Sequence, residues 1–368
     1  MGQKLTARPP AIMKTLIGIL LAAGIVLGGE PQTYNNPAPH PVVRIENTAP
    51  ATAAPKNIIL MIGDGMSLQH VQAAWLANGG TLNIMQCPVV GLSRTASASH
   101  TITDSAAGGT ALASGTKAIN KQLGLDPQGN KLDSLADWAK QRGMGTGIVT
   151  TKTVTDATPA AFYAHNPNRA DEDAIALDLA TGNIDVIFGG GAKHFTQRKD
   201  GRNLLEQISK QGRTIKLATP GHYGTPAERG DILRQTSLEA VSRLRQNPNG
   251  YFLMIEGAKI DLASHANNLP ETIAEMLDFD RTAGAILAEA AQNGDTLVII
   301  TADHECGGLS ILDGDPASRT VTATFATGNH SGIAVPVYAF GPGSTNFTGT
   351  YENTAIPAKI KQAAAASR

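Results

Sequence analysis

Six short apolar runs fix most of what this chain can fold into. They are NIILMIG (57–63), GIVTT (147–151), IDVIFGG (184–190), YFLMIEG (251–257), TLVIITA (296–302) and VPVYAFG (335–341). None alternates apolar with polar residues, so neither face of these strands is made for water, which is the pattern of buried parallel strands. Between them lie helical patterns, including LDSLADWAKQRG (132–143) and ETIAEMLDFDRTAGAILAEAAQNG (271–294). The second places Ile273, Met276, Leu277, Ala283, Ile286, Leu287 and Ala290 on one face at the 3.6-residue period. Strands alternating with helices predict an α/β fold, a three-layer α/β/α sandwich with a mostly parallel central sheet. A chain of 368 residues with 42% hydrophobic and 17% charged residues has material for such a core. One domain over 56–368 is expected.

In open sheets of this kind ligands bind outside the carboxyl ends of the strands. Those ends are polar here. NIILMIG runs into Asp64, and GIVTT is followed by Asp156 and Thr158. YFLMIEG carries Glu256 and leads to Asp261 and His265, TLVIITA meets Asp303 and His304, and His330 precedes VPVYAFG. Each has a bland reading. Asp64 between two glycines could turn the chain, Asp261 and His265 could be an i,i+4 surface pair, and His330 could be merely solvated. Taken together the bland readings need a separate accident at every strand end, whereas one pocket accounts for all of them.

Such a pocket would gather five carboxylates, Asp64, Asp156, Glu256, Asp261 and Asp303, with three histidines. Carboxylates this close repel unless protonated or bridged by cations. Mixed Asp/His clusters suit zinc, and an all-oxygen set of Asp, Glu and Thr suits magnesium, so two Zn²⁺ and one Mg²⁺ are expected. A paired-metal centre clamps the entering and leaving oxygens of an in-line displacement. The stretch TDSAAGGTALASG (103–115) puts one hydroxyl, Ser105, at the start of a helix of small residues. Capping explains a Ser there. A nucleophile at a helix N-terminus explains both the hydroxyl and the small residues behind it.

These segments resemble the alkaline phosphatase family from about Asn57 through Gly343. NIILMIGDGM, TDSAAGGTALASG, DATPAAFYAHNPNR, FLMIEGAKIDLASHANN, VIITADHE and GNHSGIAVPVYAFGPGS occur in family order. The resemblance implies a hydrolase of phosphate monoesters that passes through a phosphoserine at Ser105 and releases inorganic phosphate. It implies that Asp64 bridges a zinc and the magnesium, that Asp303 and His304 complete that zinc site, and that Asp261, His265 and His330 form the other. Thr158 and Glu256 match magnesium ligands. Asp156 matches a position that is Asp in some members, holding a magnesium water, and His in others. Arg169 matches the arginine that clamps two phosphate oxygens, which its planar fork suits. With three divalent ions and Arg169 against five carboxylates, the site would be cationic by about two charges. Leu262 departs from the pattern, standing where some members place a Lys that reaches phosphate through water. Looser phosphate binding follows from it. A homodimer is expected, without the larger surface insertions of some members.

The N-terminus carries Met13-Lys14 before TLIGILLAAGIVLGG, which ends at Gly29. A charged start and an apolar run too short for a comfortable span predict a signal peptide over 1–29, or else an N-terminal membrane anchor. Export to the periplasm or cell exterior follows either way. Pro-rich residues 30–55 read as an extended tether. Lys and Arg total 30 against 31 Asp and Glu, so nucleic-acid binding has no electrostatic support. Cys87 and Cys306 are too few for a disulfide framework, and Cys306 reads as a structural thiol rather than a ligand. The competing functions are a related sulfatase or phosphodiesterase, or an exported metal- or phosphate-binding protein. Ser105 followed by AAGG lacks the sulfatase pattern, Thr158 and Glu256 argue against a phosphodiesterase, and a pure binder has no use for a nucleophile.

Overall fold

The computed structural model describes residues 29–46 and 54–365. The apolar run before Gly29 lies outside them. Among the described residues no helix is long and apolar enough to cross a membrane.

A nine-stranded sheet forms the middle layer. Its strands in chain order are β1 (Asn57–Gly63), β2 (Val89–Arg94), β3 (Gly145–Thr153), β4 (Val186–Gly190), β5 (Thr214–Leu217), β6 (Tyr251–Gly257), β7 (Thr296–Thr301), β8 (Val335–Phe340) and β9 (Gly349–Glu352). They lie side by side in the order β9-β2-β8-β7-β1-β6-β3-β4-β5. All six apolar runs are therefore strands of one sheet. β8 corrects one expectation, for it runs antiparallel to both β2 and β7. It follows the short strand His330–Ser331, which pairs with Glu305–Cys306, and so enters the sheet from the end where the other strands leave it.

The central strands are buried on both faces, as their composition requires. Ile59, Met61, Val149, Leu253 and Ile255 share one core with the long helix Leu269–Asn293. That helix buries the face expected of it, from Ile273 to Ala290. Ile58, Leu60, Ile148, Phe252 and Met254 share the opposite core with the helices Ser105–Ser114, Leu135–Lys140 and Glu172–Thr181.

The Pro-rich stretch after Gly29 is not wholly a tether. Gln32–Asn35 pairs antiparallel with Thr320–Phe325, which also pairs with Leu309–Asp315. Pro31 and Pro37 bracket this strand and leave its own N–H groups free to bond. Beyond it, buried Asn36 donates to the Ala77 carbonyl at 2.8 Å, and His40 lies 3.1 Å from Asp280 of the long helix. Extended backbone signalled by proline serves here as a docked strap.

The Ser105 helix sits very close to the strand ends. A Cβ on Gly108 would lie 2.9 Å from the Asp303 carbonyl oxygen, and one on Gly109 would lie 3.3 Å from Thr158 Cα. Side chains larger than hydrogen at these positions force backbone apart. Gly108→Val should therefore lower stability by about 1–3 kcal/mol and reduce any activity that needs Ser105 near Asp303. Thermal denaturation and turnover measured on the same preparation check this; a fully active variant with unchanged melting would contradict it.

Candidate active site

Asp64, Asp156, Glu256, Asp261, Asp303 and His304 are delivered by a strand end or by the first residues after one. In the sheet Ile62 pairs with Glu256, Glu256 with Thr150, and Gly63 with Gly257, so Glu256 and Asp64 arrive at the same edge. Lys259–His265 is helical, placing Asp261 and His265 one turn apart. Asp303 and His304 follow β7, and His330 lies in the short strand before β8. Asp104 caps the Ser105 helix by accepting from Ala107 N at 3.0 Å. Asp, then, is the cap, and Ser105 is the first helical residue with its hydroxyl free for other partners.

Two groups of donor atoms converge. In the first, His265 Nε2 and His330 Nε2 are 3.1 Å apart, and each is 3.3 Å from Asp261 Oδ1. The other ring nitrogens are engaged: His265 Nδ1 with the Gly328 carbonyl at 2.7 Å and His330 Nδ1 with that of Thr103 at 2.9 Å. A carbonyl can only accept, so both Nδ1 atoms carry hydrogen and, in the neutral rings, both Nε2 lone pairs point at the same space. In the second group, His304 Nε2 is 3.1 Å from Ser105 Oγ, 3.3 Å from Asp303 Oδ2 and 3.5 Å from Asp64 Oδ1. Asp64 Oδ1, Asp261 Oδ1, Asp303 Oδ2 and Glu256 Oε1 are buried without a hydrogen-bond partner among the described residues. Convergent lone pairs and orphaned carboxylate oxygens fit a cation in each group.

Two positive side chains stand among the acids. Arg169 extends NH1 to Asp104 Oδ2 at 3.3 Å and NH2 to Asp156 Oδ1 at 3.1 Å, at the rim of a cleft of about 380 Å³. That cleft is also lined by Ser105, Asp261, His265 and His330. Other depressions of similar size, such as that between Trp138, Arg142 and Lys361, gather no comparable donor set. The second cation is Lys152, which the sequence reading missed. Its side chain is 4% exposed, and Nζ lies 3.1 Å from Asp64 Oδ2, 3.3 Å from Asp156 Oδ2 and 3.6 Å from Asp261 Oδ2. The signal available was a lysine inside a strand that is otherwise buried, with an acid four residues on.

Thr158 is buried against Gly109 of the Ser105 helix. Among the described residues it makes no hydrogen bond with Glu256, whose Oε2 accepts from Thr150 Oγ1 at 2.5 Å. Cys87 and Cys306 are both free and buried. Cys306 Sγ lies close to the first group, but its S–H donates to the Asp261 carbonyl at 3.5 Å, and burial pushes the thiol up. Leu262 is 37% exposed and lies outside the cleft lining.

Burial and mutual repulsion govern protonation here. Burial, aided by the neighbouring acids, raises Asp64 to about 6 despite Lys152, and raises Glu256 to about 8. Burial likewise lifts Asp303 well above the carboxylate range. The Asp261 carboxylate, 3.3 Å from its Nε2, raises His265 to about 9. Burial opposes the charge on Lys152, but Asp64, Asp156, Asp261 and Glu256 together hold its ammonium well above the usual range. Burial opposes ionisation of Asp156 too, yet Lys152 and Arg169 keep its carboxyl low.

Comparison with known proteins places this geometry in context. The family model described as alkaline phosphatase matches residues 55–217 and 226–319. Alkaline phosphatase 4 of Bacillus subtilis is 32% identical over 81% of this chain and 86% of its own length. The solved alkaline phosphatase of the Antarctic bacterium TAB5 superposes with a TM-score of 0.81 at 34% identity, covering 85% of this chain and 98% of that one. A variant of the TAB5 protein with one histidine changed to aspartate and Mg bound in the M3 site gives 0.81 at 35% identity, with 85% and 99% covered.

The raised groups predict how the metal-free chain responds to pH. Glu256 (about 8 against 4.5), Asp64 (about 6 against 3.8) and His265 (about 9 against 6.5) all hold protons more tightly in the fold. Stability from such groups is full below the ordinary value and is lost as pH rises through the shifted one. In chelator the melting temperature should fall between about pH 5 and about pH 9, and added Zn²⁺, by replacing those protons, should remove the decline. Melting that rises with pH in chelator would contradict this.

Proposed function

The chain belongs to the alkaline phosphatase family of metal-dependent phosphatases, and from that premise we propose that it hydrolyses phosphate monoesters through a phosphoserine at Ser105. One observation carries the reading. Ser105 Oγ, 3% exposed as a residue, stands at the N-terminus of a buried helix, 3.1 Å from His304 Nε2 and on the lining of the cleft. Helix N–H groups and the helix dipole favour the anion that a reacting phosphate presents there.

Asp261, His265 and His330 would hold one divalent ion, and Asp64, Asp303 and His304 the other; mixed imidazole and carboxylate donors make zinc the choice. Bound there, the two ions would supply Lewis-acid chemistry, easing ionisation of the Ser105 hydroxyl and offsetting charge on the leaving oxygen. The chain's own groups do the rest. Asp104 fixes the helix start and, through Oδ2, orients Arg169. Arg169 presents its fork at the rim, where it can hold two phosphate oxygens in the bidentate manner. The small residues behind Ser105 keep its backbone against Asp303. With two divalent ions, Lys152 and Arg169 set against five carboxylates, the site keeps about one positive charge, enough to draw a phosphate dianion.

The expected magnesium does not fit as well. Its ligands were to be Asp64, Thr158 and Glu256 with Asp156 nearby, yet the Lys152 ammonium lies between Asp64 and Asp156, and Thr158 is not joined to Glu256. Export, supported by the apolar run that ends at Gly29, and a homodimer belong to the same proposal; cell fractionation and sedimentation test them.

Ser105→Ala should lower monoester hydrolysis by a factor on the order of 10³ or more while leaving two metals bound, with residual hydrolysis above background. Mass spectrometry of acid-quenched wild type should find phosphate on Ser105. Rates on p-nitrophenyl phosphate should exceed those on its diester and on the corresponding sulfate. Phosphate on another residue, or preference for the diester or sulfate, would overturn the proposal.

A further inference from the structure

We infer that the Lys152 ammonium serves as the third cation of this site, so that the protein is a two-metal phosphatase that takes up no magnesium. The inference rests on the reading of the site as a metal centre given above, and goes beyond it in saying which cation neutralises the acids behind Ser105.

Three observations carry it. First, Asp64 divides its two oxygens between two partners. Oδ1 faces His304 at 3.5 Å, and Oδ2 accepts from Lys152 Nζ at 3.1 Å. This is the bridging role expected between a zinc and a magnesium, with an ammonium on the magnesium side. Second, Lys152 has three N–H donors, and three carboxylate oxygens lie within 3.6 Å of Nζ, from Asp64, Asp156 and Asp261. Nζ donates to Asp64 and has the other two oxygens at ion-pair distance, and the side chain that carries it is only 4% exposed. Third, the other carboxylates expected around magnesium are partly engaged, with Glu256 Oε1 left as an orphan. Glu256 Oε2 accepts from Thr150, and Asp156 Oδ1 accepts from Ala157 N at 2.7 Å and from Arg169. Magnesium demands near-octahedral oxygens at about 2.0–2.1 Å. An ammonium already 3.1 Å from Asp64 leaves neither the space nor the unshared charge for it.

The test is elemental analysis of the zinc-loaded holoenzyme after dialysis with Mg²⁺ in excess. Wild type should carry two zinc and only trace magnesium, and its turnover should not respond to Mg²⁺. Lys152→Ser removes the ammonium and frees the carboxylates for an ion with its own waters, so this variant should gain close to one magnesium per chain and become responsive to Mg²⁺. One tightly held magnesium per wild-type chain would overturn the inference. So would a folded Lys152→Ser that keeps two zinc and still takes no magnesium. If the serine variant fails to fold, the wild-type magnesium content alone decides. Failure here differs from failure of the proposed function, because phosphate on Ser105 and two bound zinc ions stand or fall independently of magnesium.

Discussion

The acids at the carboxyl edge of the sheet cannot all be ionised unless something positive lies among them. Asp64, Glu256 and Asp303 are fully buried, and Asp156 and Asp261 stand close by. Burying even one unpaired carboxylate costs several kcal/mol, and five together compound the cost by repulsion. The chain answers in part with its own cations, Lys152 and Arg169. The shortfall shows in the raised proton affinity of Asp64 and Glu256, and in carboxylate oxygens without a donor. Divalent ions resolve both features at once, so metal binding and the integrity of this end of the fold are one problem.

The fold concentrates the acids because its strands are parallel. Parallel neighbours all end at one edge, and in-register pairing brings Ile62, Glu256 and Thr150 side by side. The same edge must also be closed from below. Paired glycines, Gly63 and Gly257, allow the Phe279 ring of the long helix to press against the backbone, where added Cβ atoms would lie 3.2 and 2.6 Å from it. An apolar ring under the acids lowers the local dielectric and strengthens every charge interaction above it. On the opposite core Gly108 and Gly109 do the corresponding work for the Ser105 helix. Apolar packing and site electrostatics are thus set by the same four glycines.

Much of this was legible in the sequence because it is local. An apolar run followed by an acid announces a strand end, and the 3.6-residue spacing from Ile273 to Ala290 announces a helix face. What was not legible depends on partners far apart in the chain. The direction of β8 is decided by its entry from the His330 side, which no property of VPVYAFG records. The prolines around Gln32–Asn35 signal extended backbone but not that Thr320–Phe325 lies ready to pair with it. The role of Lys152 was only faintly signalled, for a similar reason. A lysine directly after GIVTT reads as the solvated tail of a strand. Only the fold brings Asp64 and Asp261, 88 and 109 positions away, to its ammonium.

An ammonium and a divalent ion neutralise acids in different ways. A magnesium ion usually keeps several waters and presents them to its surroundings. The Lys152 ammonium donates to Asp64 and pairs with Asp156 and Asp261, on a side chain that is almost wholly buried. Its part is therefore to position. It holds Oδ2 of Asp64 so that Oδ1 faces His304, and holds one oxygen of Asp156 so that the other meets Arg169. Asp64 and Arg169 are thereby pre-organised before any metal or phosphate arrives, and no chelator can remove the cation that orders them. The cost is one unit of positive charge relative to a three-metal site. With Leu262 offering no compensating charge beside Asp261, a phosphate bound here would meet a weaker field than a magnesium-bearing site would exert.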